Sequence, residues 1–168
     1  DTARADRVGT LRTLTPNLTR FAAGALVYES ARTTAPFTMP AMASVMTGLY
    51  PYAAGIVTNS RRERLAPSVP TLAELAASAG YETAAIVTNP WLASRATGFA
   101  RGFETFVSGR DLGSERTRMS AERVAAEALS ILERPRRRPL FLWLHFMDAH
   151  MPYGDVLPPN AISRDFVG

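Results

Sequence analysis

A hydroxyl side chain, Thr38, stands directly before a short predicted helix that Gly48 and the Tyr50-Pro51 turn close. The N-terminus of a helix attracts anions, because its first backbone N–H groups and the helix dipole favour negative charge. A threonine at this position can be an ordinary N-cap, or it can be a nucleophile directed at a phosphate or sulfate ester. Thr38 and its neighbours leave both interpretations open.

A second polar cluster follows the last predicted strand, where His145, Asp148 and His150 lie within six residues. In open α/β sheets, ligands bind beyond the carboxyl ends of the strands. His150 lies in the loop and is the better candidate for contacting an anion or a metal. His145 still alternates with the strand, so a hydrogen-bonded core histidine and a substrate-binding residue are equally plausible. For Asp148, a turn-forming role is as plausible as a functional one.

Two carboxylates at the start of the sequence form a candidate metal loop, Asp1-Thr2-Ala3-Arg4-Ala5-Asp6. Hard cations such as Mg²⁺ and Ca²⁺ prefer carboxylate oxygens. A cation held beside Thr38 would favour loss of the hydroxyl proton. Alone, the loop is a weak signal.

Helical and strand-like patterns alternate along the chain, which predicts an α/β fold with a mostly parallel sheet flanked by helices. The predicted elements are a helix over 16–21, a strand over 26–28, the helix after Thr38, a helix between Thr71 and Gly80, a strand over 83–88, a helix over 119–133 and a strand over 140–144. The last strand is apolar without alternation, as expected of a strand covered on both faces. Residues 91–113 are predicted to be irregular.

Composition excludes several classes of function. The 168 residues are 46% hydrophobic and can bury one core. The absence of cysteine excludes disulfides, cysteine metal sites and thiol nucleophiles. The run Arg134-Pro135-Arg136-Arg137-Arg138 favours a solvated linker over a nucleic-acid site, because no aromatic residues are interleaved. No apolar run approaches the ~20 residues of a membrane span, so membrane association would require segments upstream of this sequence.

Together these residues resemble the sulfatase family of the alkaline-phosphatase superfamily over nearly the whole chain. The resemblance rests on five segments in the family's order, namely 1–6, 15–22, 38–51, 70–84 and 139–153. It implies that residues 1–168 are the N-terminal portion of one sulfatase-like catalytic domain, without its first strand and C-terminal half. The fragment alone is therefore expected to be inactive.

The resemblance also implies a chemistry for an anionic ester substrate. Asp1 and Thr38 would ligate a divalent cation (Ca²⁺, Mg²⁺, Mn²⁺ or Zn²⁺), Thr38 would attack, and His150 would hold the anionic oxygens, with His145 as a further substrate contact. The implied reaction is in-line displacement at sulfur or phosphorus through a covalent intermediate on Thr38. Family members are typically periplasmic or secreted, and the sequence predicts no particular oligomeric state.

Two departures from the family pattern refine this expectation. Formylglycine-dependent sulfatases carry Cys or Ser as the nucleophile, and a threonine, being a secondary alcohol, cannot give an aldehyde. Thr38 therefore predicts no formylglycine and favours phosphate-type over sulfate esters, since threonine is usual in phosphate-directed relatives. Met42 stands where the family usually has arginine, and methionine can neither pair with an anion nor donate a proton. Two alternatives stay open: a phosphoglycerol- or phosphoethanolamine-type transferase, and a non-catalytic sulfatase-like binding protein.

Overall fold

The structure, a computed structural model, describes residues 3, 15–109, 111 and 119–150. The chain divides into two compact units, Asp1–Glu29 with Asp148–Gly168, and Ser30–Met147. The predicted metal loop and the segment after His150 lie outside the described residues, apart from Ala3.

The first unit contains helix α1 (Pro16–Ala22), which begins with a proline as predicted. Proline suits the first helical position because it lacks an N–H that would have no partner there. The predicted strand over 26–28 is wrong: this segment has no regular secondary structure, and Leu26 and Tyr28 are 79% and 75% exposed. A strand requires a neighbour to complete its hydrogen bonds, and three apolar residues in a row do not provide one.

The second unit carries the sheet and most of the described helices. Its elements are α2 (Thr38–Thr47), α3 (Pro51–Ala54), α4 (Leu72–Ser78), α5 (Ala121–Leu132), β1 (Glu82–Val87), β2 (Thr105–Ser108) and β3 (Leu140–His145). The Tyr50-Pro51 pair, predicted to form only a turn after α2, begins the single helical turn α3.

The described strands form a parallel sheet in the order β2-β1-β3. In the central strand, Ala85 pairs with Phe106 of β2 and with Trp143 of β3. The prediction that residues 91–113 are irregular is therefore wrong at β2. This strand has only four residues, too few for its alternation to stand out, and its pairing with β1 stabilises it.

Apolar side chains cover both faces of the sheet. On one face α2 packs against the strands, through Met39, Ala43, Met46, Ala85, Val87, Phe106 and Trp143. On the other face α5 packs against them, through Val124, Ala128, Ile131, Ala84 and Ile86. As predicted for β3, both of its sides are covered, since Trp143 belongs to the first cluster and Leu142 packs against the second. This arrangement confirms the predicted α/β fold with a parallel sheet flanked by helices.

The start of α4 is a capping box, which the spacing of Thr71 and Glu74 in the sequence predicts. The Thr71 hydroxyl accepts the Glu74 N–H at 3.1 Å, and the Glu74 carboxylate accepts the Thr71 N–H at 2.8 Å. Arg101 donates to both oxygens of the Glu74 carboxylate, at 3.0 and 2.8 Å. Hydrogen bonds within four residues therefore define where this helix begins, and an ion pair reinforces them.

A glycine permits the close approach of another chain segment to this capping box. Gly102 adopts φ +81°, and a Cβ atom there would overlap the backbone N of Glu74 and lie 2.6 Å from the carbonyl carbon of Ala73. Its carbonyl accepts the Thr83 hydroxyl at 2.7 Å. The segment before β2 is thereby fixed against both α4 and β1.

Part of the arginine-rich run after α5 binds within the second unit. Arg138 donates to both carboxylate oxygens of Glu104 at 2.8 Å. Arg136 lies 3.8 Å from the Glu82 carboxylate and donates to main-chain carbonyls near the end of α5. These contacts favour the interpretation of the run as a linker between α5 and β3.

Candidate active site

Thr38 is the first helical residue of α2 and is half-buried. The N-cap position belongs to Phe37, whose backbone is extended and whose side chain makes no capping hydrogen bond. Thr38 therefore lies one position inside the helix and is not its N-cap residue. The side chain of Phe37, which is the N-cap residue, makes no capping bond either.

The capping bond of α2 comes from a distant residue. The N–H of Met39 donates to the side-chain oxygen of Asn59 at 2.9 Å. Asn59 itself follows two residues, Val57 and Thr58, whose N–H groups both donate to one carboxylate oxygen of Glu63, at 2.8 and 2.9 Å. Neither Asn59 nor Glu63 belongs to a local motif, so sequence reasoning missed both.

The bond between the Met39 N–H and Asn59 also reduces the number of backbone N–H groups that the N-terminus of α2 can donate to an anion. The Met39 N–H is already donated to Asn59, and Pro40 has no N–H to donate. Two of the first three helical positions are therefore closed to a ligand. The attraction for an anion predicted from the backbone of α2 is smaller than at a helix start with three open N–H groups.

Met42 follows Thr38 by one helical turn, so the two residues share a face of α2. Met42 is half-buried and packs against the apolar cluster between α2 and the sheet. Its side chain contributes to packing, and this turn of α2 places no cationic group next to Thr38.

Two buried polar residues, Thr88 and Asn89, follow β1 at its carboxyl end. The Thr88 hydroxyl donates to the main-chain oxygen of His145 at 2.9 Å. The Asn89 side chain donates to the sulfur of Met147 at 3.3 Å and accepts the Trp91 N–H at 2.9 Å. Sequence reasoning did not select these residues, although their position directly after a buried strand was a usable signal.

His145 is the last residue of β3 and is 8% exposed. Its ring meets that of Trp143 edge to face, with centroids 6.0 Å apart. Burial lowers the pKa of His145 to about 4, so the ring is neutral at pH 7. This environment favours the core-histidine interpretation, and the substrate-binding role of His145 stays a prediction.

Residues next to Thr38 and His145 belong to the same apolar cluster. Met39, which follows Thr38, belongs to the same cluster as Trp143, which contacts His145. The side chains of Trp143 and His145 point to the same face of the sheet, because strand residues two apart share a face. His145 therefore lies on the side of the sheet that α2 covers.

The other predicted site residues lie in the first unit or outside the described residues. Asp148 is exposed in a turn after β3, and His150 is half-buried. Asp1, the predicted metal ligand, lies outside the described residues. Within the described ranges, no group of three or more carboxylate or imidazole side chains could hold a metal ion. The metal site expected at Asp1 and Thr38 stays a prediction.

A parallel α/β sheet with polar residues following its strands is the architecture of enzymes that bind ligands at this edge. The model of the Sulfatase family matches residues 1–165. Because the match spans nearly the whole chain, this protein belongs to the sulfatase family, and the predicted resemblance is confirmed. Membership supports an ester hydrolase of the sulfatase superfamily.

No curated protein matches the sequence. Among the described helices, none combines the length and hydrophobicity that crossing a bilayer requires.

Proposed function

We propose that this protein is a metal-dependent hydrolase of anionic esters in which Thr38 is the nucleophile, with phosphate-type esters favoured over sulfate esters. One observation carries the proposal: a threonine opens α2 in a sulfatase-family chain, and the helix takes its capping bond from Asn59. A nucleophile that capped its own helix would have to give up that hydrogen bond in order to react.

The proposed reaction is an in-line displacement. The Thr38 hydroxyl loses its proton, its oxygen forms a bond to phosphorus, and the bond between phosphorus and the leaving oxygen breaks. The departing alkoxide takes up a proton, and water then hydrolyses the phosphorylated Thr38. His150 is proposed to hold the anionic oxygens of the ester.

Asp1 and Thr38 are the proposed ligands of a divalent cation, Ca²⁺, Mg²⁺, Mn²⁺ or Zn²⁺. Such an ion, when bound, neutralises charge on the ester oxygens. The carboxylate and hydroxyl oxygens of these two residues suit a hard cation.

Threonine supports phosphate-type chemistry because its secondary alcohol cannot be oxidised to the aldehyde from which formylglycine chemistry proceeds. The unmodified hydroxyl must then attack the ester directly. No formylglycine is expected at position 38.

The test is hydrolysis of an aryl phosphate, an aryl phosphodiester and an aryl sulfate by the full-length protein supplied with each of the four metals. We expect turnover of at least one phosphate ester, faster than that of the sulfate. Thr38→Ala should reduce kcat by about 10³-fold or more, as loss of a nucleophile does. Thr38→Ser keeps a hydroxyl and should retain much of the activity.

An unchanged rate in Thr38→Ala would overturn the assignment of the nucleophile. Faster hydrolysis of the sulfate would overturn the preference for phosphate.

The packing of Met42 favours a second candidate, a non-catalytic sulfatase-like binding protein. An apolar side chain one turn from Thr38 removes the anion partner that the family usually has there. This candidate predicts no turnover of any ester and no stoichiometric metal. Elemental analysis of the purified full-length protein separates the two, because a bound divalent ion would argue for catalysis.

A further inference from the structure

We infer that Asn59 and Glu63 are positioning residues for Thr38, which they hold through the first turn of α2. The inference rests on the proposed role of Thr38 as nucleophile. It assigns a function to the polar loop between α3 and α4, which carries no local motif.

The first link is the hydrogen bond from the Met39 N–H to Asn59. The bond length of 2.9 Å is that of a good N–H···O bond. The nitrogen of Met39 belongs to the peptide unit that joins it to Thr38, and the Met39 side chain is fully buried. The bond and the burial together fix the orientation of that peptide unit, and with it the direction in which the Thr38 side chain leaves the helix.

The second link is the Glu63 carboxylate, which fixes the backbone leading to Asn59. One of its oxygens accepts the N–H groups of Val57 and Thr58, at 2.8 and 2.9 Å. Hydrogen bonds to an ionised acceptor are about twice as strong as neutral ones. A turn at Ser60, whose main-chain oxygen accepts the Glu63 N–H at 3.1 Å, returns Glu63 to this position.

The two links act in series, because Glu63 contacts the residues before Asn59, and Asn59 contacts the helix. Loss of Asn59 would release the first turn even with Glu63 in place. Loss of Glu63 would release the loop and so misplace Asn59. A displacement of about 1 Å at a reacting group can cost about 100-fold in rate.

The experiment measures kcat and KM of the full-length protein on an aryl phosphate for Asn59→Ala, Glu63→Ala and the double variant. We expect kcat to fall at least tenfold in Asn59→Ala, with KM changed by less than about threefold, because the ester contacts remain while the nucleophile is misaligned. The double variant should lose no more than Asn59→Ala, because interaction in series makes the effects non-additive.

Two further variants distinguish a loss of positioning from a general destabilisation of the loop. Glu63→Gln keeps an acceptor oxygen and should recover most of the activity that Glu63→Ala loses. Ser68→Ala changes an exposed side chain of the same loop that neither link uses and should leave kcat unchanged. Hydrogen exchange at the Met39 amide should be faster in Asn59→Ala and in Glu63→Ala than in the wild type, at unchanged circular dichroism.

A wild-type kcat in Asn59→Ala, or losses that multiply in the double variant, would overturn the inference. If Asn59→Ala does not fold, the comparison of Glu63→Ala with Glu63→Gln decides instead, and equal rates in those two contradict it. A wild type without turnover, or a Thr38→Ala variant with full turnover, overturns the proposed function and this inference together. An active wild type with an inactive Thr38→Ala and an unaffected Asn59→Ala overturns this inference alone.

Discussion

Helices α4 and α2 both begin next to a threonine, and their first turns are held in different ways. At α4 the Thr71 hydroxyl caps the helix and Glu74 returns the bond, so the cap lies within four residues. At α2 the capping oxygen belongs to Asn59, twenty residues beyond the Met39 N–H that it accepts. The first arrangement is a property of local sequence, and the second exists only in the folded unit.

The difference bears on the role proposed for Thr38. Thr71 is buried and bonded on both sides, since it accepts the Glu74 N–H and donates to the Arg101 carbonyl at 3.2 Å. The helix that Thr38 opens is capped without it. The proposed nucleophile is therefore not the N-cap residue of its own helix.

The largest expected effect comes from the tight packing at α4. Gly102→Ala should lower the free energy of unfolding by about 3 kcal/mol or more, because a Cβ would overlap the backbone of α4 at a positive φ. Gly48→Ala, at the end of α2, also has a positive φ but meets no atom within 4 Å. It should cost only about 1–2 kcal/mol, the strain of the backbone alone. Denaturant unfolding of both variants measures the difference, and equal losses would contradict it.

The second effect is a pH dependence at the carboxyl end of β3. Burial lowers the pKa of His145 to about 4, while an unfolded histidine titrates near 6.5. Between these values the unfolded chain binds more protons, so the free energy of unfolding falls as the pH drops, by about 3 kcal/mol in total. The full free energy of unfolding is therefore present above pH ~6.5, and the whole loss of about 3 kcal/mol has occurred below pH ~4.

Denaturant unfolding from pH 7 to pH 4 measures this loss. His145→Asn should have a shallower slope than the wild type in this window, because it removes the titrating group. His150→Asn is the matched control and should keep the slope that His145 causes. Equal slopes in His145→Asn and the wild type would show that this ring does not titrate as its burial requires.

The same contrast explains how much of the fold the sequence predicts. The capping box at Thr71, the glycine after α4 and the apolar run of β3 each specify an element within a few residues, and each was predicted correctly. The segment 26–28 is apolar too, but no partner strand meets it in the described part of the chain, and no local pattern reports that. The opposite error occurs at β2, which the sequence does not predict as a strand. Its four residues form a strand only because they pair with β1.

The candidate site follows the same rule. Thr38, His145 and His150 can be recognised as candidates from the sequence alone, because their side chains could react or bind a ligand and they lie at the ends of predicted elements. The contact from Asn59 and the support from Glu63 are not visible, because both depend on a loop that returns to α2. The burial that lowers the pKa of His145 also comes from tertiary packing. Sequence therefore predicts which residues could react more readily than what holds them.

A third prediction compares the two threonines directly. Thr71→Ala should lower the free energy of unfolding by about 1 kcal/mol, within the range measured for lost N-caps. Thr38→Ala leaves the bond from the Met39 N–H to Asn59 in place, so we expect it to lose less than Thr71→Ala, with no contribution from the cap. Paired denaturation curves of the two variants test this, and a larger loss in Thr38→Ala would assign Thr38 a structural role.

The smallest effect concerns the ion pair behind the α4 cap. The pKa of Glu74 is lowered, chiefly by its hydrogen bond with Arg101. The stabilisation from this carboxylate is therefore present above its unfolded pKa near 4.5, and it is lost as the pH falls through its folded pKa. The Glu74 side chain is 34% exposed, which limits the contribution to about 1 kcal/mol or less. Glu74→Gln keeps an oxygen for the Thr71 N–H and should remove this acid loss, whereas Glu74→Ala should also weaken the cap at neutral pH. Unfolding at pH 7 and pH 3 distinguishes them. Because His145 contributes the same acid loss to all three proteins, a loss in Glu74→Gln as large as in the wild type would contradict the contribution of Glu74.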